Sequence, residues 1–138
     1  MKRALYIILT LIPLLVACDR QLDENGHLDG MWQLTEFRET PSATVVSTRE
    51  DGLYLSFQRQ LVKFHEGGHE SFYLASFTRQ GDSLFVEQPI QWPSDEIRPL
   101  SELQRYGVPG NGRMRIQSLS NQHLTLSSPA GTATLRKY

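Results

Sequence analysis

From Trp32 onward the apolar residues fall at every second position, and turn-forming residues cut the runs at short intervals. Leu53, Leu55 and Phe57 alternate with Tyr54, Ser56 and Gln58, and Leu84 and Val86 with Ser83, Phe85 and Glu87. Met114 and Ile116 alternate with Arg113, Arg115 and Gln117, and Leu124 and Leu126 with His123, Thr125 and Ser127. A side-chain period of two describes strands with one buried face. The breaks are Glu50-Asp51-Gly52, Gly67-Gly68, Gly81-Asp82, Ser120-Asn121-Gln122 and Pro129-Ala130-Gly131. They are too short for parallel crossovers, which need about a dozen residues, so neighbouring strands run antiparallel. About eight strands are expected, near 31–38, 53–58, 60–66, 69–80, 83–88, 112–119, 123–127 and 132–137. A sheet of that many short strands closes or doubles on itself, because open edges invite aggregation. SFQRQ (56–60) and SFTRQ (76–80) echo each other. With no third copy they indicate similar hairpin arms or chance rather than a repeat architecture.

The first residues carry an address. Lys2-Arg3 precedes an apolar run from Ala4 to Leu15, broken only by Thr10 and Pro13, and small residues follow. The run is shorter than the ~20 apolar residues of a spanning helix and has the layout of a secretory signal over 1–17. Leu15-Val16-Ala17-Cys18 resembles the bacterial lipobox, which implies cleavage before Cys18 and acylation of that residue. The alternative is a small buried cysteine in an uncut anchor helix. Cys18 is the only cysteine in the chain, so no disulfide can form within it. Several acyl chains anchor stably where one is marginal. Residues 18–27 then read as the lipidated cysteine and a polar tether, DRQLDENG at its centre, and 28–138 as a single domain with one modest core.

Loss of Lys2 and Arg3 leaves 12 basic residues against 15 acidic ones, a formal charge of −3. That balance argues against nucleic acid as a partner, which asks for a basic stripe.

His65-Glu66-Gly67-Gly68-His69 matches the zinc-peptidase pattern H-E-x-x-H. The pattern works on a helix, where both histidines reach one zinc and the glutamate acts as general base. Here both middle positions are glycine, each costing about 1 kcal/mol in a helix relative to alanine. The flanks LVKF and SFYLASF favour strands. A two-residue hairpin turn at Gly67-Gly68 is expected instead, with Glu66 opposite His69 and no metal bound. Asp95, Glu96 and Glu102 form no desolvated carboxylate pair that the sequence marks, and no nucleophile elbow, phosphate loop or calcium loop is present. No catalytic residue, metal ligand or cofactor is therefore assigned, and the chain is not expected to be an enzyme.

Gly30-Met31-Trp32 places G-x-W at the head of the meander, which ends in Leu135-Arg136-Lys137-Tyr138. Together with the lipobox this is similar to the small lipocalin-like lipoproteins of Bacteroidetes, over about four-fifths of the chain. The resemblance implies an all-β, eight-stranded, antiparallel up-and-down barrel. It also implies that Gly30 and Trp32 close one end, with Arg136 of the last strand lying over Trp32; an ordinary core tryptophan is the alternative. The chain departs from the lipocalin pattern in being short and in lacking a clear C-terminal helix packed on the barrel. Eight strands enclose a space that side chains just fill, or that holds one small ligand.

One stretch breaks the meander: Gln88 to Asn111, with four of the seven prolines. Connections this long in a compact domain are functional or disordered, and its apolar residues speak against disorder. Leu100, Leu103 and Tyr106 recur at helical spacing, and Gly107 with Pro109 stops the run, so one short helix near 99–106 is expected to pack on the barrel. Trp92 and Ile97 read as further anchors. These five residues are the candidate ligand or lid residues, and the other outcome is a hydrophobic plug.

Two functions follow. The first is a lipid-anchored cell-envelope protein, at the outer membrane of a Gram-negative bacterium, that binds a small apolar or amphipathic ligand. The second is an envelope interaction protein with a filled barrel and a protein or glycan partner. Asp19 beside the lipidated cysteine is a retention signal in some Gram-negative bacteria, which leaves inner or outer membrane open.

Overall fold

The computed structural model describes residues 25–138, so the signal, the lipobox and Cys18 lie outside the described residues. The expected strands are all there: β1 (Gly30–Glu39), β3 (Leu53–Gln58), β4 (Leu61–Glu66), β5 (Phe72–Gln80), β6 (Ser83–Val86), β9 (Arg113–Leu119), β10 (His123–Ser128) and β11 (Gly131–Lys137). Each pairs antiparallel with the next, β4 with β5 and β11 with β1 included, so the eight close into an up-and-down barrel. Three short strands lie outside that ring. β2 (Val45–Ser47) pairs with β1; β7 (Ile90–Trp92) pairs with Phe72–Leu74 of β5, and β8 (Glu96–Ile97) with β7.

Strand alternation fills the inside. Trp32, Leu34, Leu53, Leu55, Phe57, Val62 and Phe64 point inward from one side of the ring, and Ala75, Phe77, Leu84, Val86, Met114, Ile116, Leu124, Leu126, Ala133 and Leu135 from the other. The echoed phenylalanines, Phe57 and Phe77, meet edge to face at 5.3 Å. In β1 a bulge at Thr35 shifts the register against β11. The Thr35 hydroxyl donates to the Thr134 carbonyl at 3.0 Å, and the Thr48 hydroxyl to the Leu34 carbonyl at 2.8 Å, which satisfies polar groups at the bulge.

The base of the barrel is closed by the 3-10 turn Gly26–Leu28, whose Leu28 is fully buried. Trp32 donates from its indole nitrogen to the Leu28 carbonyl at 2.8 Å, which satisfies its one polar group where no water reaches.

Candidate functional site: the mouth and the outer wall

The mouth is stoppered by the long connection. Leu100–Tyr106 is a 3-10 helix, and its three residues per turn put Leu100, Leu103 and Tyr106 in one line. The same apolar spacing that predicts a helix here suits the 3-10 form best, since positions three apart eclipse one another. Leu103, Tyr106 and Val108 join the core, Leu100 packs against it, and the Tyr106 ring lies 5.4 Å from Phe64. Gly107 ends the helix at φ +85, with its NH donating to the Gln104 carbonyl.

Charge pins this stopper to the rim. Arg98 donates to the Glu102 carboxylate through Nε at 2.9 Å and through a second, shorter bond from Nη2, and the Tyr73 hydroxyl donates to the same carboxylate at 2.8 Å. Arg98 also reaches Glu96 at 3.4 Å, and Arg105 reaches Glu66 at 3.1 Å. The Arg98 bonds, then the Tyr73 bond, hold Glu102 below the usual carboxylate range. The Tyr73 hydroxyl is pushed up, first by burial and then by Glu102, and burial lifts Tyr106 to about 12. Among the acidic residues of this loop, Glu102 therefore anchors the stopper to the barrel, through Tyr73. Arg98 and Glu102, four apart, carry that signal in the sequence; Tyr73 and Glu66 come from other strands and carry none.

Trp92 and Ile97 sit elsewhere. They are 48% and 73% exposed and belong to β7 and β8 on the outside of the barrel, so they do not anchor the connection to the mouth. The cause is register: Trp92 pairs with Phe72 and Ile97 with Ile90, itself opposite Leu74, and these β5 residues face away from the buried Ala75 and Phe77. Register aligns rows across this wall. Tyr54, His65, Phe72 and Trp92 are successive cross-strand partners, as are Ser56, Lys63, Leu74, Ile90 and Ile97. Tyr54 and His65 stack at 5.1 Å, Phe72 and Trp92 at 6.0 Å, Tyr138 meets Tyr54 edge-on, and the Lys63 ammonium lies 4.4 Å over Phe72. With Leu61, 46% exposed beside Leu74, the outer wall presents a strip of apolar and aromatic side chains interspersed with Ser56, Lys63 and His65. Clustered aromatic and apolar exposure of this kind marks contact surfaces.

The pentapeptide HEGGH is strand and turn. His65 and Glu66 end β4, and the His69 NH donates to the Glu66 carbonyl at 3.2 Å across Gly67-Gly68. Only Gly68 has positive φ, and the ladder with β5 stops at His65–Phe72, so the connection is wider than a two-residue hairpin and Glu66 is not a ladder partner of His69. His65 lies against Tyr54, its Nδ1 buried without a hydrogen-bond partner, and burial followed by the Lys63 charge holds its pKa below the ordinary value. His69 is exposed and 3.9 Å from Glu66. Without a helix the two imidazoles do not share a face, and among the described residues no group of three or more His, Cys, Asp or Glu could hold a metal ion.

At the base, Lys137 takes the position expected of Arg136. Ala133 and Leu135 of β11 point inward, so Lys137 shares their face and Arg136 points to solvent. The Lys137 ammonium lies 4.3 Å over the Trp32 ring and donates to the carbonyls of His27 and Asp29. Gly30, at φ +118, leaves the space: a Cβ there would meet Lys137 Nζ at 2.9 Å. G-x-W thus joins a tryptophan that closes the base to a glycine that admits the lysine.

The profile of the lipocalin-like domain family matches residues 13–138, nearly the whole chain. The chain belongs to the lipocalin-like domain family. Its barrel superposes on a lipocalin-like protein from Bacteroides uniformis with a TM-score of 0.61 at 19% identity, over 82% of this chain and 100% of that one. An uncharacterized protein from Bacteroides eggerthii gives 0.56 at 17%, over 80% and 99%, and a protein from Burkholderia xenovorans gives 0.55 at 14%, over 80% and 82%. No curated protein matches the chain. At these identities the lipocalin-like fold is what is shared.

Proposed function

We propose that this lipocalin-like chain is a non-enzymatic recognition module of the cell envelope, held by a lipid on Cys18, that works through the outside of a filled barrel. The observation that carries the reading is the interior. Ten core residues, among them Trp32, Leu55, Phe64, Leu103 and Leu135, have no surface that water could touch, which leaves no room beside them for a ligand. Carrier sites are apolar cavities of roughly 300–1,000 Å³. The apolar strip from Leu61 to Ile97 supports recognition of a protein or glycan partner on the wall. The lipobox-like Leu15-Val16-Ala17-Cys18 after an apolar run supports the anchor and the envelope location.

A small-ligand reading keeps one observation in its favour. Among the described residues the polar ties from the stopper to the strands are two, the Tyr73–Glu102 bond and the surface pair Arg105–Glu66, and such pairs are weak, so displacement of the 3-10 helix would open the mouth. Mass spectrometry of small molecules copurified with the full chain separates the two. The filled barrel carries none at stoichiometric level; one molar equivalent of an apolar molecule, reduced by enlarging Ala75 inside the barrel to Leu, would overturn the proposal.

A further inference from the structure

A second surface feature begins at the far end of β5 from the apolar strip and continues onto the next strands. β5, β6, β9 and β10 line an open groove of about 550 Å³, in which Thr78, Gln80, Ser83, Ser127 and Ser128 and the apolar Phe85 and Pro129 surround Arg113 and Arg115. Because Met114 and Ile116 of β9 are committed to the core, the residues between them and before them point out, so Arg113 and Arg115 project from one face. Two positions along a strand are about 7 Å apart. Register surrounds Arg115 with neutral polar groups and sets Arg113 against an aromatic ring. Arg115 is opposite Ser83 on one side and Ser127 on the other, with Gln80 next beyond Ser83, and Arg113 is opposite Phe85, with Thr78 beyond it.

Directly opposed positions on a sheet face are where an exposed arginine ordinarily meets an acid. Here none of the opposed residues is acidic, no carboxylate lines the groove, and neither guanidinium forms an ion pair among the described residues. Two adjacent like charges repel, and in a chain of net negative charge nothing in the fold requires them side by side. Arg113 is also held in place, its guanidinium carbon 5.1 Å from the centre of the Phe85 ring. A positioned guanidinium offers paired donors that match the two oxygens of a carboxylate, sulfate or phosphate. The hydroxyls of Thr78, Ser83, Ser127 and Ser128 and the Gln80 amide both donate and accept, as a polyhydroxylated ligand demands.

We propose that this groove binds an acidic sugar: a saccharide unit whose carboxylate, sulfate or phosphate pairs with Arg115 and Arg113 and whose hydroxyls meet the surrounding Ser, Thr and Gln side chains. The volume falls within the roughly 300–1,000 Å³ of small-molecule sites. The inference rests on the outward-acting barrel for its placement and names one partner class for it, yet it needs neither the lipid nor the apolar strip.

The test is titration of the ¹⁵N-labelled full chain, in a non-ionic detergent, with glucuronate, glucose 6-phosphate, glucose and inorganic phosphate, following amide shifts at low salt. The expected result is saturable shifts confined to 78–85, 113–115 and 127–129 with the two acidic sugars, both tighter than glucose and than inorganic phosphate. Arg115→Gln should weaken binding about tenfold or more, the loss of one charge-assisted bidentate pair, while Arg136→Gln, also on the outer face but outside the groove, leaves it unchanged. Unfolding midpoints of both variants, expected to match the parent, show that the fold persists. Absence of shifts in the groove with either acidic sugar, equal response in Arg115→Gln, or inorganic phosphate binding as tightly as the sugars would each overturn the proposal. None of these outcomes alters the finding that the interior is filled, whereas copurification of an apolar molecule would remove the outward-acting reading and leave the groove's binding as measured.

Discussion

Gly30 and Lys137 meet at the base of the barrel, with the lysine ammonium over Trp32 and 2.9 Å from where a Gly30 Cβ would stand. The contact links the first barrel strand to the last and completes the end that Leu28 and Trp32 begin. Gly30→Ala is strained chiefly by the backbone at φ +118, since the flexible Lys137 tip can shift from the added Cβ, and should cost about 1–3 kcal/mol. Lys137→Met removes the cation from the indole face and should cost about 0.5–2 kcal/mol. Arg136→Ala, on a solvent-facing side chain, should stay within about 0.5 kcal/mol. Urea denaturation of the three variants checks the order, and an Arg136 effect larger than that of Lys137 would contradict this account of the base.

Glu102 ties the stopper to the rim, and its carboxyl is held low by Arg98 and then Tyr73. A depressed carboxylate stabilises the fold above its unfolded pKa, about 4.3, and that contribution is lost as pH falls through the lower folded value. Tyr73 acts at the other extreme: raised above 10, it contributes fully below pH 10 and less as pH climbs through its folded pKa. The unfolding midpoint measured from pH 2 to 7 should therefore fall below about pH 4.5, and Glu102→Gln should flatten part of that decline. An unchanged acid limb in Glu102→Gln would show that the pin is not coupled to folding.

His65 and His69 should bind no stoichiometric zinc, because one lies in a strand and the other beyond a turn. Metal analysis of protein purified without chelator or metal-affinity tag is the check; one zinc per chain, lost in the His65→Ala, His69→Ala double variant, would refute it. NMR titration adds a second reading. His65 should titrate below 6.5, and Lys63→Gln should move it upward, since the Lys63 charge opposes protonation.

Acylation of Cys18 is expected from the lipobox-like stretch. Intact-mass analysis of the membrane fraction should show a chain that begins at an acylated Cys18, and Cys18→Ser should leave neither that species nor cleavage at the Ala17–Cys18 bond. An unmodified Cys18 thiol in the native protein would sink the expectation.

The eight barrel strands are legible in the sequence because each commits one face to the core, and a period of two survives even in a strand as short as Ser83–Val86. β2, β7 and β8 are not legible, since two or three residues cannot display a period and their side chains face out: Val45, Val46 and Ile97 are apolar yet exposed. Parity along β11 holds the signal for Lys137, because Ala133 and Leu135 fix the inward face, whereas the family pattern alone suggests Arg136. The strip from Tyr54 to Trp92 and the surroundings of Arg115 depend on register between strands, which no single strand's pattern contains.

Leu103 decides whether the stopper is a plug or a gate. It is fully buried, and the Val108 NH donates to its carbonyl, so the turn that follows folds back on it. Leu103→Ala should cost about 2–5 kcal/mol, the range for emptying a packed site. A charge in the same place has neither water nor a partner, so Leu103→Asp should be more damaging still. As a plug, residues 103–108 should exchange amide hydrogens as slowly as β3 and β4, because they open only when the barrel does. A gate would exchange early while the strands remain protected, and Leu103→Asp would then leave the barrel folded. Hydrogen exchange of the parent chain, read beside the denaturation of Leu103→Asp, distinguishes the two, and the zero exposure of Leu103 leads us to expect the plug.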